Sequence, residues 1–340
     1  MGGPYPTTIA ALGGLPTNAL DTPIDVIFLI LFMIGAAIHM TIFQVNNRRG
    51  QKFIMSGMTF GFCMARISAN VMRIVWANYP HKVSIAIAAQ IFVAAGVVLL
   101  FVINMIFVER VIRASHPHLG WHKTISLAFR LFIGSIVAVL IALITCVIQS
   151  FFTLDPSIKI KDRDVQRFGS IYFAVVAFMP LVLLALRAVI PIRGHVEKFG
   201  TGRFRTKIWI LVFSSSLLTL GAAFRAAVSY MPRPITNPAW YHSKACFYLF
   251  NFTIEITIVY LYAFMRMDKR FIVPNGSHGA GDYSRKTKKG EYEGDSQRQP
   301  TFLDRVMSEE EVFDGEAREE RWKGQPTTDV NAQHVSSEKH

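Results

Sequence analysis

Long apolar stretches, separated by short polar and basic connections, run through the chain from Ile24 to Phe264. They are Ile24 to Phe43, Phe53 to Trp76, Val83 to Val108, Ile125 to Phe152, Ser170 to Ile192, Ile208 to Tyr230 and Ala245 to Met265. Each is about as long as the ~20 residues a helix needs to cross a bilayer. Lipid offers backbone groups no hydrogen-bond partner, so spans this apolar are predicted as helices rather than strands. The pattern therefore predicts an all-α membrane protein, a seven-transmembrane helical bundle. Residues 1–23 read as a short extracellular N-terminus, 24–265 as the bundle, and 266–340 as a cytoplasmic, mostly disordered tail. Pro180 should kink the fifth helix.

The short connections orient the bundle, because Lys and Arg are enriched on the cytoplasmic side. With the N-terminus outside, the inner connections hold Arg48, Arg49 and Lys52, then Arg110, Arg113 and Lys123, then Arg193, Lys198, Arg203, Arg205 and Lys207, then Arg266, Lys269 and Arg270. The outer ones hold half as many: Lys82, Lys159, Lys161, Arg163, Arg167, Arg233 and Lys244. An N-out, C-in protein, integral to the plasma membrane, is the expectation.

Charge refines the picture. The net charge of +13 is carried by the bundle, with 23 Lys/Arg against 8 Asp/Glu up to residue 265 and 13 against 15 beyond it. Basic connections of this kind face anionic lipid, so membrane lipids are expected partners and nucleic acid is not. Met1 to Pro23 lacks the basic start of a cleavable signal, which leaves the first helix as the targeting signal. Cys63, Cys146 and Cys246 are scattered and odd in number, with neither zinc nor disulfide spacing, and read as buried small side chains. The acidic stretch Ser308 to Trp322 reads as a solubilising tail or as a short helix formed on a partner.

Charges within spans cost roughly 2.5 to 3.5 kcal/mol each at a helix centre, so each needs a reason. Arg73, Arg130 and Arg187 lie within about two turns of a span end and can snorkel to headgroups. Arg66 and Glu255 fall near the midplane, and Arg225 on the sixth helix lies within a long side chain's reach of Glu255. An internal ion-pair network is the least costly arrangement. Arg66, Asn70 and Arg73 recur at i, i+4 and i+7, and Tyr248, Asn251, Glu255 and Tyr262 share a stripe on the seventh helix. The two stripes would line a ligand cavity between the second, sixth and seventh helices, or form an ion-paired latch. Gly57 and Gly61, with Ala88, Ala89, Ala94, Ala95 and Gly96, mark places where helices can approach closely.

Other chemistries are demoted. No Lys sits mid-membrane on the seventh helix for a retinal Schiff base, and His39 is the only His well inside a span. His116, His118 and His122 read as headgroup-facing. No nucleophile elbow or phosphate loop is present, so neither enzymatic activity, a cofactor nor a metal site is expected. Glu109-Arg110 resembles the acid-Arg pair of rhodopsin-like receptors, but the Trp-x-Pro and Asn-Pro-x-x-Tyr elements of that family are missing.

The segment Gln90-Ile-Phe-Val-Ala-Ala-Gly96, with Asn104, Glu109-Arg110 and Arg113-Ala-Ser-His-Pro-His-Leu-Gly-Trp121, resembles fungal seven-helix proteins labelled family C-like G-protein-coupled receptors. More loosely, Arg66 to Arg73 and Phe224-Arg225 with Glu255 are similar to the Rta-like lipid-translocating exporter family. The resemblance implies an architecture and a fungal setting rather than a catalytic motif. The leading expectation is a receptor-like sensor of a small or lipidic ligand, with Arg66, Asn70, Arg73, Arg225, Tyr248, Asn251 and Glu255 as the ligand-binding or polar-core residues. Glu109, Arg110 and Arg113 would couple to a cytoplasmic signalling protein through the inner loops and the acidic tail. The alternatives are a lipid or amphiphile translocator and a membrane scaffold with a structural polar core.

Overall fold

The structure, a computed structural model, describes residues 3–6, 8–191 and 196–284; the acidic stretch at 308–322 and most of the predicted tail lie outside the described residues. Seven long helices follow one another: α1 (Asp21–Arg48), α2 (Ile54–Asn78), α3 (Val83–Ser115), α4 (Lys123–Phe152), α5 (Pro156–Val189), α6 (Phe204–Tyr230) and α7 (Lys244–Phe264). All but α2 are long and apolar enough to cross a membrane. α2 carries Arg66, Asn70 and Arg73, which dilute its hydropathy. Its 25 residues nevertheless extend about 37 Å, and it packs along α1 and α3 within the same bundle. The protein is an all-α, multi-pass membrane bundle.

The helices alternate in direction, so the N-terminus and the α2–α3, α4–α5 and α6–α7 connections share one face, here termed the N-terminal face. The helices outrun the apolar segments that predict them. α1 continues through Asn46 and Asn47 to Arg48, and α3 through Glu109 to Arg113 to Ser115. The largest difference is at α5. Residues 156–169 were expected as part of an outer loop, yet they are helical. Asp155 caps the helix by accepting from Ser157 N at 2.8 Å, and Pro156 takes the first-turn position where its missing N–H costs nothing.

Lipid tails are as apolar as leucine, so helix association here depends on close packing and hydrogen bonds. Much of that packing is aromatic: Phe32, Phe62 and Phe252 are fully buried and meet edge-on across α1, α2 and α7. α4 is peripheral, burying only Phe129, Ile136 and Phe151 while Leu131 and Ile141 face outward. Of the glycine pair on α2, Gly57 faces the Phe43 ring of α1 and Gly61 meets nothing within 4 Å. Only Gly57 marks a close approach. Of the cysteines, Cys63 alone is fully buried; Cys146 and Cys246 are half-exposed, and all three are free.

α7 is interrupted by a π-helical turn, Tyr248–Thr253, and Gly221 of α6 lies directly against it. A Cβ at Gly221 would meet the Phe250 carbonyl oxygen at 2.7 Å, a backbone atom that cannot move aside cheaply. Gly221→Val should therefore destabilise the folded protein by about 1 to 3 kcal/mol, whereas Gly61→Ala should be neutral. Thermal melting of the two variants in nanodiscs checks this; equal melting temperatures would remove the α6–α7 contact from the account.

Candidate functional site

Arg66 is fully buried in the middle of α2. Its Nε donates to Glu255 Oε2 at 2.5 Å and its Nη2 to Glu255 Oε1 at 2.6 Å, the two-pronged fork that makes arginine–carboxylate pairs strong. Nη1 donates to the carbonyls of Phe92 and Val93 at 3.1 and 2.9 Å. α3 breaks for one residue just beyond, at Val97. Gly96 lies 3.2 Å from the guanidinium carbon, measured from where its Cβ would stand. The side chain is thus satisfied by a carboxylate, two carbonyls, and the faces of Phe62 and Phe252 at 5.4 and 5.6 Å.

A second cluster lies about two helical turns nearer the N-terminal face. Arg73 was expected to snorkel to headgroups; it is instead buried. Its Nη2 donates to Asp21 Oδ1 at 2.9 Å, its Nε lies 3.7 Å from Asp25 Oδ2, and it covers the Phe247 ring at 4.1 Å. Tyr248 Oη donates to Asp21 Oδ1 at 3.0 Å, and Lys244 pairs with Asp21 Oδ2. Asp21 and Asp25 escaped the sequence reading because they stand at the edge of the first apolar run. Their i, i+4 spacing places both on the face of α1 that meets α2, a signal the sequence does contain.

Arg225 does not reach Glu255. It donates to Asn251 Oδ1 at 2.9 Å, while Asn251 Nδ2 donates to the Phe247 carbonyl within the π-helical turn. Asn70 Nδ2 returns to the Arg66 carbonyl at 2.8 Å, and its Oδ1 is buried without a partner among the described residues. Nearer the opposite face, Asn104 of α3 joins Ser214 and Ser215 of α6 to Tyr262 of α7, with Asn104 Nδ2 donating to Ser215 Oγ at 3.1 Å.

A cavity of about 700 Å³ opens above the Arg66–Glu255 pair, toward the N-terminal face. Its position differs from the expected one. Rather than lying between α2, α6 and α7, it is walled by α3, α4, α5 and α6, with Arg73 and Trp76 of α2 and Asn251 of α7 at its side. Of the seven expected site residues, Arg73, Arg225 and Asn251 line it; Arg66, Asn70, Tyr248 and Glu255 belong to the packed core beneath. The N-terminal segment roofs it. Tyr5 N donates to the Phe151 carbonyl, Ala10 N to Arg233 and Gly13 N to His242, and Ile9 bridges to Pro234. No residue pattern in 1–23 announced this strap, because most of its hydrogen bonds are made by backbone groups; Leu12 adds packing against the core and Arg73 donates to the Gly13 carbonyl.

The cavity wall has one sign of charge. Arg73, Lys159, Arg163, Arg167 and Arg225 line it, and no Asp or Glu does among the described residues. His242, at the rim, is held below its usual pKa by burial and by nearby Arg233, so it is neutral at physiological pH. Among the described residues no group of three or more His, Cys, Asp or Glu side chains converges as a metal would require.

The expected coupling residues lie on the opposite face, and the chain itself covers them. Glu109 pairs with Arg113 at 2.5 Å, Arg113 rests on Trp121 at 4.6 Å, and Arg110 donates to the Phe271 carbonyl. Residues 271–283 fold back beneath the bundle, where Glu197 accepts from Gly281 N and Tyr283 N at 2.6 and 3.1 Å. The Tyr283 ring packs against Trp121 and Phe199.

A family model described as a protein of unknown function, DUF3112, matches residues 193–272, a segment that holds Arg225, Asn251 and Glu255 but neither Arg66 nor Arg73. No curated protein and no solved structure matches the chain.

Removing one member of a buried ion pair leaves the other uncompensated, at about 3 to 5 kcal/mol, whereas removing both costs less. Glu255→Gln should therefore lower the melting temperature more than the double change Arg66→Gln with Glu255→Gln. A double variant at least as unstable as the single one would show that the two charges do not depend on each other.

Proposed function

We propose that the chain is a receptor-like membrane protein in which a small or lipidic ligand occupies the cavity and is sensed through the charge clusters beneath it. One observation carries the reading: Arg73, Arg225 and Asn251 face the cavity on one side and belong to the buried polar network on the other. A ligand that engages them competes directly with contacts that fix α2 and α7. α7 also carries Tyr262, and the segment after it supplies the Phe271 carbonyl to Arg110. In this reading the N-terminal face is extracellular, the membrane is the plasma membrane, and a cytoplasmic signalling protein meets Glu109, Arg110 and Arg113 once residues 271–283 are displaced, with help from the acidic tail. The resemblance to fungal family C-like receptors agrees with it.

The second reading, a translocator of lipids or amphiphiles, is favoured by α4. This helix walls the cavity with Val147, Ser150 and Phe151 and is the most lipid-exposed of the seven.

Ala94 projects into the cavity, so Ala94→Trp fills part of it without touching an ion pair. In a thermal-shift screen of small amphiphiles in nanodiscs, ligands that stabilise the natural protein should lose that effect in Ala94→Trp, and bound ligand should raise hydrogen exchange at residues 271–283. A screen whose hits are all indifferent to Ala94→Trp would overturn the cavity reading; protein-dependent flipping of fluorescent lipid in liposomes would replace the receptor with the translocator. For the orientation, an Asn-Gly-Thr tag added before Met1 should acquire glycan in a eukaryotic host while native Asn275 stays bare. Glycan on Asn275 would invert the assignment.

A further inference from the structure

Lys159, Arg163 and Arg167 follow at i, i+4 and i+8 on α5 and form a basic ladder about 12 Å long on one helical face. All three line the cavity, with Arg225 contributed by α6. Their surroundings are not those of the core arginines. Arg66 and Arg73 each have a carboxylate, whereas Lys159 and Arg163 make no ion pair with any described carboxylate, and Arg163 Nε is buried with no hydrogen-bond partner. Arg167 has Asp164 at a distant 3.7 Å. The neighbouring acid Asp162 is buried and does not line the cavity. Cations facing a cavity with no acid on its wall leave a local positive potential that an anion relieves.

On the α3 and α4 side the wall is mostly apolar, with Gln90 and Ser150 as its polar members. Val93 and Ala94 of α3, Val147 and Phe151 of α4, and Ile160 of α5 offer no hydrogen bonds to a compact, fully hydrated anion, but they suit a hydrocarbon chain. Gln166 and Ser170 continue the polar side of α5 inward from the ladder. We infer that the cavity takes a single-chain amphiphile with a phosphate-type anionic headgroup, the headgroup on Lys159 and Arg163 and the chain along α3 and α4, with Arg225 lying deeper on α6. The inference rests on the cavity being a ligand site and adds the ligand's charge and shape. Guanidinium groups match phosphate oxygens in pairs, which favours a phosphate over a neutral headgroup of equal size.

The test compares three probes on the full chain in phosphatidylcholine nanodiscs: oleoyl lysophosphatidic acid, mono-oleoylglycerol, which is the same molecule without its phosphate, and inorganic phosphate. Lysophosphatidic acid should raise the melting temperature at a concentration at least tenfold below that of mono-oleoylglycerol. Lys159→Gln with Arg163→Gln should erase that preference while leaving the ligand-free melting temperature unchanged, since neither side chain has an ion-pair or hydrogen-bond partner among the described residues. Should the double variant fail to fold, Gln166→Glu, which adds an acid to the wall, should weaken the lysophosphatidate response at least tenfold. Equal potency of the two lipids, or a lysophosphatidate response unaffected by these variants, overturns the anionic headgroup. If both lipids still lose their effect in Ala94→Trp, the cavity reading survives that failure; if neither does, it falls as well. Inorganic phosphate as potent as lysophosphatidate overturns the amphiphile and leaves a free-anion site.

Discussion

The Arg66–Glu255 pair constrains everything around it. Two opposite charges in the middle of a membrane bundle are tolerated only while each meets the other and no lipid, so α2 and α7 must stay in register and α3 must close over them. A Cβ at Gly96 would stand 3.2 Å from the guanidinium, so α3 and Arg66 fit closely there. The carbonyls of Phe92 and Val93 turn to Arg66 just before α3 breaks at Val97. The aromatic rings of Phe62 and Phe252 complete a dry shell. In hydrocarbon, where apolar packing gives helices little preference for one another, such a pair supplies the specificity that burial supplies in water.

What the sequence made legible follows from the range of each interaction. The spans depend on ~20 consecutive apolar residues, a local property, and each predicted run coincides with a long helix, although the helices extend beyond the runs, α5 by fourteen residues, and α2 is less apolar than the other six. Arg66 and Glu255 were also legible, because a charge at the midplane demands a partner and few were available. Arg225 was misassigned to Glu255 because depth alone does not say which way a helix faces; it turns to Asn251, one π-helical turn away. Arg73 was misread for the complementary reason. Its partners Asp21 and Asp25 lie in the first turns of another helix, where acids look like ordinary flanking residues.

The basic ladder on α5 was hidden by a segmentation error. A charged stretch beside an apolar run reads as a loop, and Lys159, Arg163 and Arg167 were counted as orienting charges on a connection. The Asp155-Pro156 cap extends the helix backwards through them, and what looked like a scatter of cations becomes a single face. The N-terminal strap left little trace, since most of its hydrogen bonds are made by backbone groups that every sequence possesses.

The paired and unpaired cations of this bundle occupy different surroundings. A guanidinium with its own carboxylate contributes no net field and can be enclosed, as Arg66 is. Lys159 and Arg163, which make no ion pair with a described carboxylate, border the cavity, as does Arg225, which is held by Asn251. Arg73 stands between the two classes, neutralised by Asp21 yet exposed along one edge to the cavity. The bundle therefore has a charge-balanced floor and a positively charged chamber above it. α7 links the two levels, with Asn251 at the chamber, Glu255 in the floor and Tyr262 in the polar cluster below, so one helix carries a residue of each of the three polar layers.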